Sequence, residues 1–179
     1  LTPLSVDPGH PFPFISNLSI SLGVTLKHPS NDEKYFARVK IPQVLGQWVR
    51  LESKESDEYR FVSLLDLVQQ NLAELFPAMQ VVCSMPFRLT RNADILRDEE
   101  DAEDLLEMME EELRLRRFAE VVRLEHGPNP DPWMLHFLMQ ESEIKEDDLY
   151  EMPVTLDYLS LAQISELPIK ALKFDSWTP

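Results

Sequence analysis

The clearest pattern in the chain is an alternation of apolar and polar positions near its start. Leu18, Ile20, Leu22, Val24 and Leu26 alternate with Ser19, Ser21, Gly23, Thr25 and Lys27, a period of two that predicts a strand. The run His28-Pro29-Ser30-Asn31-Asp32 has the residues of a turn. Tyr35, Ala37, Val39 and Ile41 then alternate with Phe36, Arg38 and Lys40, which predicts the antiparallel partner of a hairpin. Third and fourth strands are expected at Trp48–Leu51 and Tyr59–Val62. Before all of these, the proline-rich opening from Pro3 to Pro13 should be extended.

Helical spacing begins at Ser63. Leu64, Leu65, Val68, Leu72, Leu75 and Phe76 share one face, Ser63 and Asp66 form a capping pair, and Pro77 stops the helix. A strand is expected from Met79 towards Thr90, bent at Pro86. A second helix is predicted over Glu99–Arg117, with Ala102, Leu105, Leu106, Met109 and Leu113 as its apolar stripe. Its acids lie in the N-terminal half and Arg114, Arg116 and Arg117 in the last turn, as the helix dipole favours. Val121–Glu125 reads as a strand, Asp131-Pro132 caps a third helix, and a short fourth covers Leu156–Ile164. Together these elements predict an α+β fold with a mixed or antiparallel sheet and three to four helices.

Composition narrows the picture. The 179 residues, 44% of them hydrophobic, suffice for one domain with one substantial core. No apolar run approaches the roughly 20 residues of a membrane span, and the opening residues have no signal-peptide pattern. A start on Leu1 and a stop at Pro179 fit a domain, residues 1–179, excised from a larger chain. Cys83 is the only cysteine, which excludes an internal disulfide and a cysteine zinc cage and points to a reducing, cytoplasmic setting. Its alternation with Val81 and Met85 reads as packing.

The net charge of −15 argues against nucleic acid as a ligand. Ten of the acids lie between Asp98 and Glu112, so most of the excess belongs to one predicted solvated helix face. There is no phosphate-binding glycine loop, no Gly-x-Ser-x-Gly elbow and no His-Glu-x-x-His. The histidines His10, His28, His126 and His136 have no metal-ligand spacing, so no metal site is expected. The best local anion candidates are Arg88, Arg91 and Asn92. A guanidinium matches phosphate oxygens bidentately, and Asn92 adds a donor. The same arginines could instead pair with acids of the following helix or face another domain.

Two stretches carry a resemblance. The first is His10-Pro11-Phe12-Pro13-Phe14-Ile15-Ser16-Asn17-Leu18-Ser19. The second is Phe87-Arg88-Leu89-Thr90-Arg91-Asn92-Ala93-Asp94, followed by the acidic segment and then Glu112 through Glu125. With Ala37-Arg38-Val39-Lys40-Ile41-Pro42 and Leu172-Lys173-Phe174, they resemble the middle, or head, domain of the bacterial polyphosphate kinases that work through a phosphohistidine. The resemblance implies a multidomain parent that reversibly transfers the terminal phosphate of ATP to polyphosphate, using magnesium. It also implies that the phosphorylated histidine lies in C-terminal domains outside this chain, so that no catalytic residue is expected here. A head domain of this kind is associated with subunit contacts in a homo-oligomer and with one side of the polyphosphate route. On this reading the chain is a non-catalytic scaffold and assembly domain. A free-standing acidic interaction domain is the alternative, and a small hydrolase is disfavoured because no nucleophile–base pair is visible.

Overall fold

The computed structural model describes residues 1–6, 10–30, 33–52, 58–92, 119–152 and 157–174. The predicted helix over Glu99–Arg117 lies outside them. Among the described residues eight strands occur in the order β1 (Pro3–Val6), β2 (Ile20–Lys27), β3 (Lys34–Lys40), β4 (Trp48–Leu51), β5 (Arg60–Ser63), β6 (Gln80–Arg91), β7 (Val121–His126) and β8 (Leu149–Glu151). The helices are α1 (Leu64–Gln70), α2 (Leu72–Leu75), α3 (Pro132–Ser142) and α4 (Ala162–Ser165). Six strands form one mixed sheet in the order β1-β3-β2-β6-β7-β8, while β4 and β5 pair separately. All ladders of the large sheet are antiparallel except β7 with β8, so the fold is α+β as the pattern predicts.

The hairpin of β2 and β3 forms as expected, but both of its faces are buried. Leu22, Val24, Ala37 and Val39 pack with Leu64, Val68 and Leu72 of the α1–α2 face. On the opposite side Phe36, Met85, Phe87, Leu89 and Leu124 pack with Met134 and Leu138 of α3. A Cβ on Gly23 would sit 2.7 Å from the Met134 sulfur and 3.0 Å from Phe36, so glycine permits this close approach. Leu18, expected in the strand, lies in the turn before it with φ 58° and is half-exposed.

Local chemistry fixes the helix starts. The Ser63 hydroxyl accepts from the Asp66 N–H at 3.0 Å, and the Asp131 carboxylate accepts from the Met134 N–H at 3.2 Å. The helix from Ser63 is interrupted at Asn71, whose side chain donates to the Leu67 carbonyl. Pro86 is accommodated inside β6 with no register shift; the shifts fall at Thr25/Leu26 and Thr90/Arg91. The Pro86 carbonyl accepts from Gly127, so its nitrogen faces the same side, where β7 has already ended at His126 and no donor is needed. The expected fourth helix is a 3-10 turn, Leu159–Leu161, leading into α4. Gln163 then bonds both the N–H and the carbonyl of Trp48 through its side-chain amide, at 3.3 and 2.8 Å, and so covers the edge of β4.

Ser63→Ala is expected to cost about 0.5–2 kcal/mol, read as a lower urea midpoint at unchanged slope. A variant with the wild-type midpoint would show that the Ser63 hydroxyl does not hold the helix start.

Candidate functional site

Alternation along β6 sends Phe87 and Leu89 into the core under α3, and Arg88 and Thr90 to the other face. Arg88 is registered against Glu125 on β7 and donates through Nε to Glu125 Oε2. Glu125 also meets Arg123, whose Nη2 lies 3.0 Å from Oε1. The Arg123 guanidinium in turn stacks 4.0 Å from the ring of Tyr150 on β8. The carboxylate is 6% exposed, against 20% for Arg88 and 40% for Arg123. A buried acid therefore fixes two partly exposed cations.

Arg91 turns to the opposite face. It donates from Nε to the Ile15 carbonyl at 3.1 Å and from Nη1 to the Ala119 carbonyl at 2.6 Å. Its guanidinium lies 4.7 Å from the Phe14 ring, and its backbone N–H donates to Asn17 Oδ1 at 2.9 Å. Burial pushes the Arg91 guanidinium below its ordinary pKa. Asn92 closes the ladder, its backbone N–H donating to the Glu120 carbonyl at 2.9 Å. The three residues singled out in the sequence are thus adjacent along the chain, yet Arg88 and Arg91 point to different sides of the sheet.

Arg38 escapes a period-two reading altogether. It falls at a position where β3 would face water, but β3 lies between β1 and β2, and α3 covers that face. Arg38 is 5% exposed and donates from Nε to Ser21 Oγ and from Nη1 to the Phe14 carbonyl, both at 3.0 Å. Its buried Nη2 has no partner among the described residues, and burial lowers its pKa. Arg38 and Arg91 therefore hold the consecutive carbonyls of Phe14 and Ile15. They pin a segment whose Leu18 is left-handed without being glycine, a conformation that costs about 1 kcal/mol or more. The signal that could have found Arg38 is its place in an inner strand, which a single-strand pattern does not contain.

The histidines are dispersed. His10 and His28 are exposed, His28 beside the Ser30 hydroxyl at 2.6 Å, and His136 is exposed on α3. His126 is buried, and its Nδ1 lies 2.8 Å from the Gly127 carbonyl, an acceptor, so the proton is on Nδ1. Among the described residues no three His, Cys, Asp or Glu side chains gather closely enough to hold a metal ion. Cys83 is partly buried, and burial, the largest cause, pushes its thiol pKa up. Such a thiol is a weak nucleophile. No helix of the described residues is long and apolar enough to cross a membrane.

The family model described as polyphosphate kinase middle domain matches residues 1–164. A polyphosphate kinase of Mycobacterium ulcerans (strain Agy99) is 42% identical over 185 residues, covering 100% of this chain and 25% of that protein. That of Mycolicibacterium gilvum (strain PYR-GCK) is 40% identical over 181 residues, again covering 100% of this chain and 25% of its own length. The chain thus spans about a quarter of the curated relatives it matches. The crystal structure of polyphosphate kinase from Porphyromonas gingivalis superimposes with a TM-score of 0.68 at 20% identity, over 99% of this chain and 24% of that one, and shares the fold.

Arg91→Ala leaves two carbonyls without their donors and should cost about 1–3 kcal/mol in urea unfolding. Arg60→Ala, on an exposed arginine paired among the described residues with exposed Glu58, should stay within about 0.5 kcal/mol of wild type. Equal effects of the two would contradict the pinning role.

Proposed function

Because this chain belongs to the polyphosphate kinase family, as its middle domain, we propose that it supplies the frame of a phosphotransferase and not its chemistry. The parent enzyme would move the terminal phosphate of ATP reversibly onto polyphosphate, through a histidine outside these 179 residues. ATP and magnesium then belong to the parent, and this chain's partners are the parent's other domains and further copies of it in a homo-oligomer. A cytoplasmic location fits the lone, half-buried thiol.

The observation that carries this reading is the use of the polar groups. Phosphoryl transfer needs a nucleophile aligned with a donor and cations placed on the developing charge. Here the four histidines are scattered, and Arg38 and Arg91 are spent on backbone carbonyls. An anion contact by Arg91 is therefore less favoured than a structural one, whereas Arg88 keeps an outward edge. Leu159, Leu172 and Phe174 are 87%, 80% and 103% exposed, which suits a surface that the rest of a longer chain covers. The acid-rich stretch on which an interaction-domain reading depends, Asp98 to Glu112, lies outside the described residues.

Incubating the chain with γ-labelled ATP and magnesium, followed by an alkaline gel that preserves phosphohistidine, is expected to give no labelled band. Stoichiometric label on His10, His28, His126 or His136 would overturn the scaffold reading.

A further inference from the structure

One guanidinium would neutralise Glu125, yet two are held on it. The second cation is surplus, in a chain whose overall charge is −15. Of the donors left over, only Arg123 Nε is buried without a partner among the described residues. Arg88 uses only Nε in its bond to Glu125, and its two Nη groups have no hydrogen bond among the described residues and are not buried. Arg123 gives Nη2 to Glu125 and is fixed in orientation by the Tyr150 ring, which leaves Nη1 as its accessible donor. Thr90, the register partner of Arg123, adds a hydroxyl on the same face. Two planar forks locked by a common buried acid lose little side-chain entropy when an oxyanion arrives between them.

We propose that Arg88 and Arg123 form a clasp for a chain of phosphates, with Glu125 as its positioning residue. The choice of phosphate over other oxyanions rests on the family reading above; the clasp itself rests on the geometry. Guanidinium edges match phosphate oxygens in pairs, and the surplus charge sits where such a ligand can reach it. Arg91 takes no part, since it faces the other side of the sheet.

Calorimetric titration of the chain with sodium tripolyphosphate at low ionic strength tests this directly. One saturable site is expected, weakening as salt rises. Arg88→Ala and Arg123→Ala should each lower affinity by about tenfold or more. Arg88→Lys and Arg123→Lys, which keep the charge but not the fork, should lose a similar amount and serve if an alanine variant does not fold. Arg60→Ala should bind as wild type. Glu125→Gln separates positioning from simple attraction: it removes a negative charge, so a diffuse electrostatic patch would bind tighter, whereas a clasp that has lost its anchor binds weaker. Tighter binding by a folded Glu125→Gln chain, unchanged affinity in the arginine variants, or no saturable binding by wild type overturns the clasp. Magnesium-free ATP should bind comparably to tripolyphosphate if the phosphate chain is what is recognised; binding of ATP alone overturns it. Histidine labelling in the earlier experiment would remove the scaffold reading and leave this result standing.

Discussion

From Ile20 to Leu26 both faces of β2 are buried, so its polar positions there must find partners inside the protein, and those partners organise the rest of the sheet. Leu22, Val24 and Leu26 have the simple task of packing under α1 and α2. Ser21, Gly23 and Thr25 face the other core. Ser21 accepts from Arg38, and Arg38 reaches on to Phe14. The Thr25 hydroxyl lies 3.4 Å from the Asp131 carboxylate that caps α3. Gly23 leaves room for Met134 and Phe36. The polar half of one strand thus places both the N-terminal segment and α3. An unsatisfied buried donor or acceptor costs about 1–3 kcal/mol, so these positions restrict the fold as firmly as the apolar ones.

Local signals were legible in the sequence where they are self-contained. The alternation of β2 and β3, the strand at Trp48–Leu51, the Ser63 cap and the Asp131-Pro132 start each depend on a few neighbouring residues, and each is present. What depended on distant partners was not legible. β8 is three residues long and exists because it pairs in parallel with β7. β1 gains its ladder only from β3. Arg38 looks exposed in its own strand and is buried by elements distant in sequence. The candidate site shows the same division. Arg88 was identifiable as a charged outward residue of a strand. Glu125, Arg123 and Tyr150, which give it a setting, come from two other strands.

Arginine is put to two uses in this domain. Arg38 and Arg91 act as long, forked hydrogen-bond donors to main-chain carbonyls, a use in which charge is a cost that burial makes visible in their lowered pKa values. Arg88 and Arg123 are partly exposed and flank a buried carboxylate. The first pair pins the frame, and the second is the pair proposed as a phosphate clasp. That separation suits the architectural role proposed for this polyphosphate kinase middle domain.

A frame organised by β2 should open last at β2. Hydrogen–deuterium exchange on the free chain measures this most directly. Amides of β2 and its neighbours β3 and β6 are expected to exchange only through global unfolding, while the small β4–β5 sheet and residues 157–174 exchange sooner through local opening. Exchange of the β2 amides as fast as those of β4 and β5 would contradict the claim that the doubly buried strand holds the domain together.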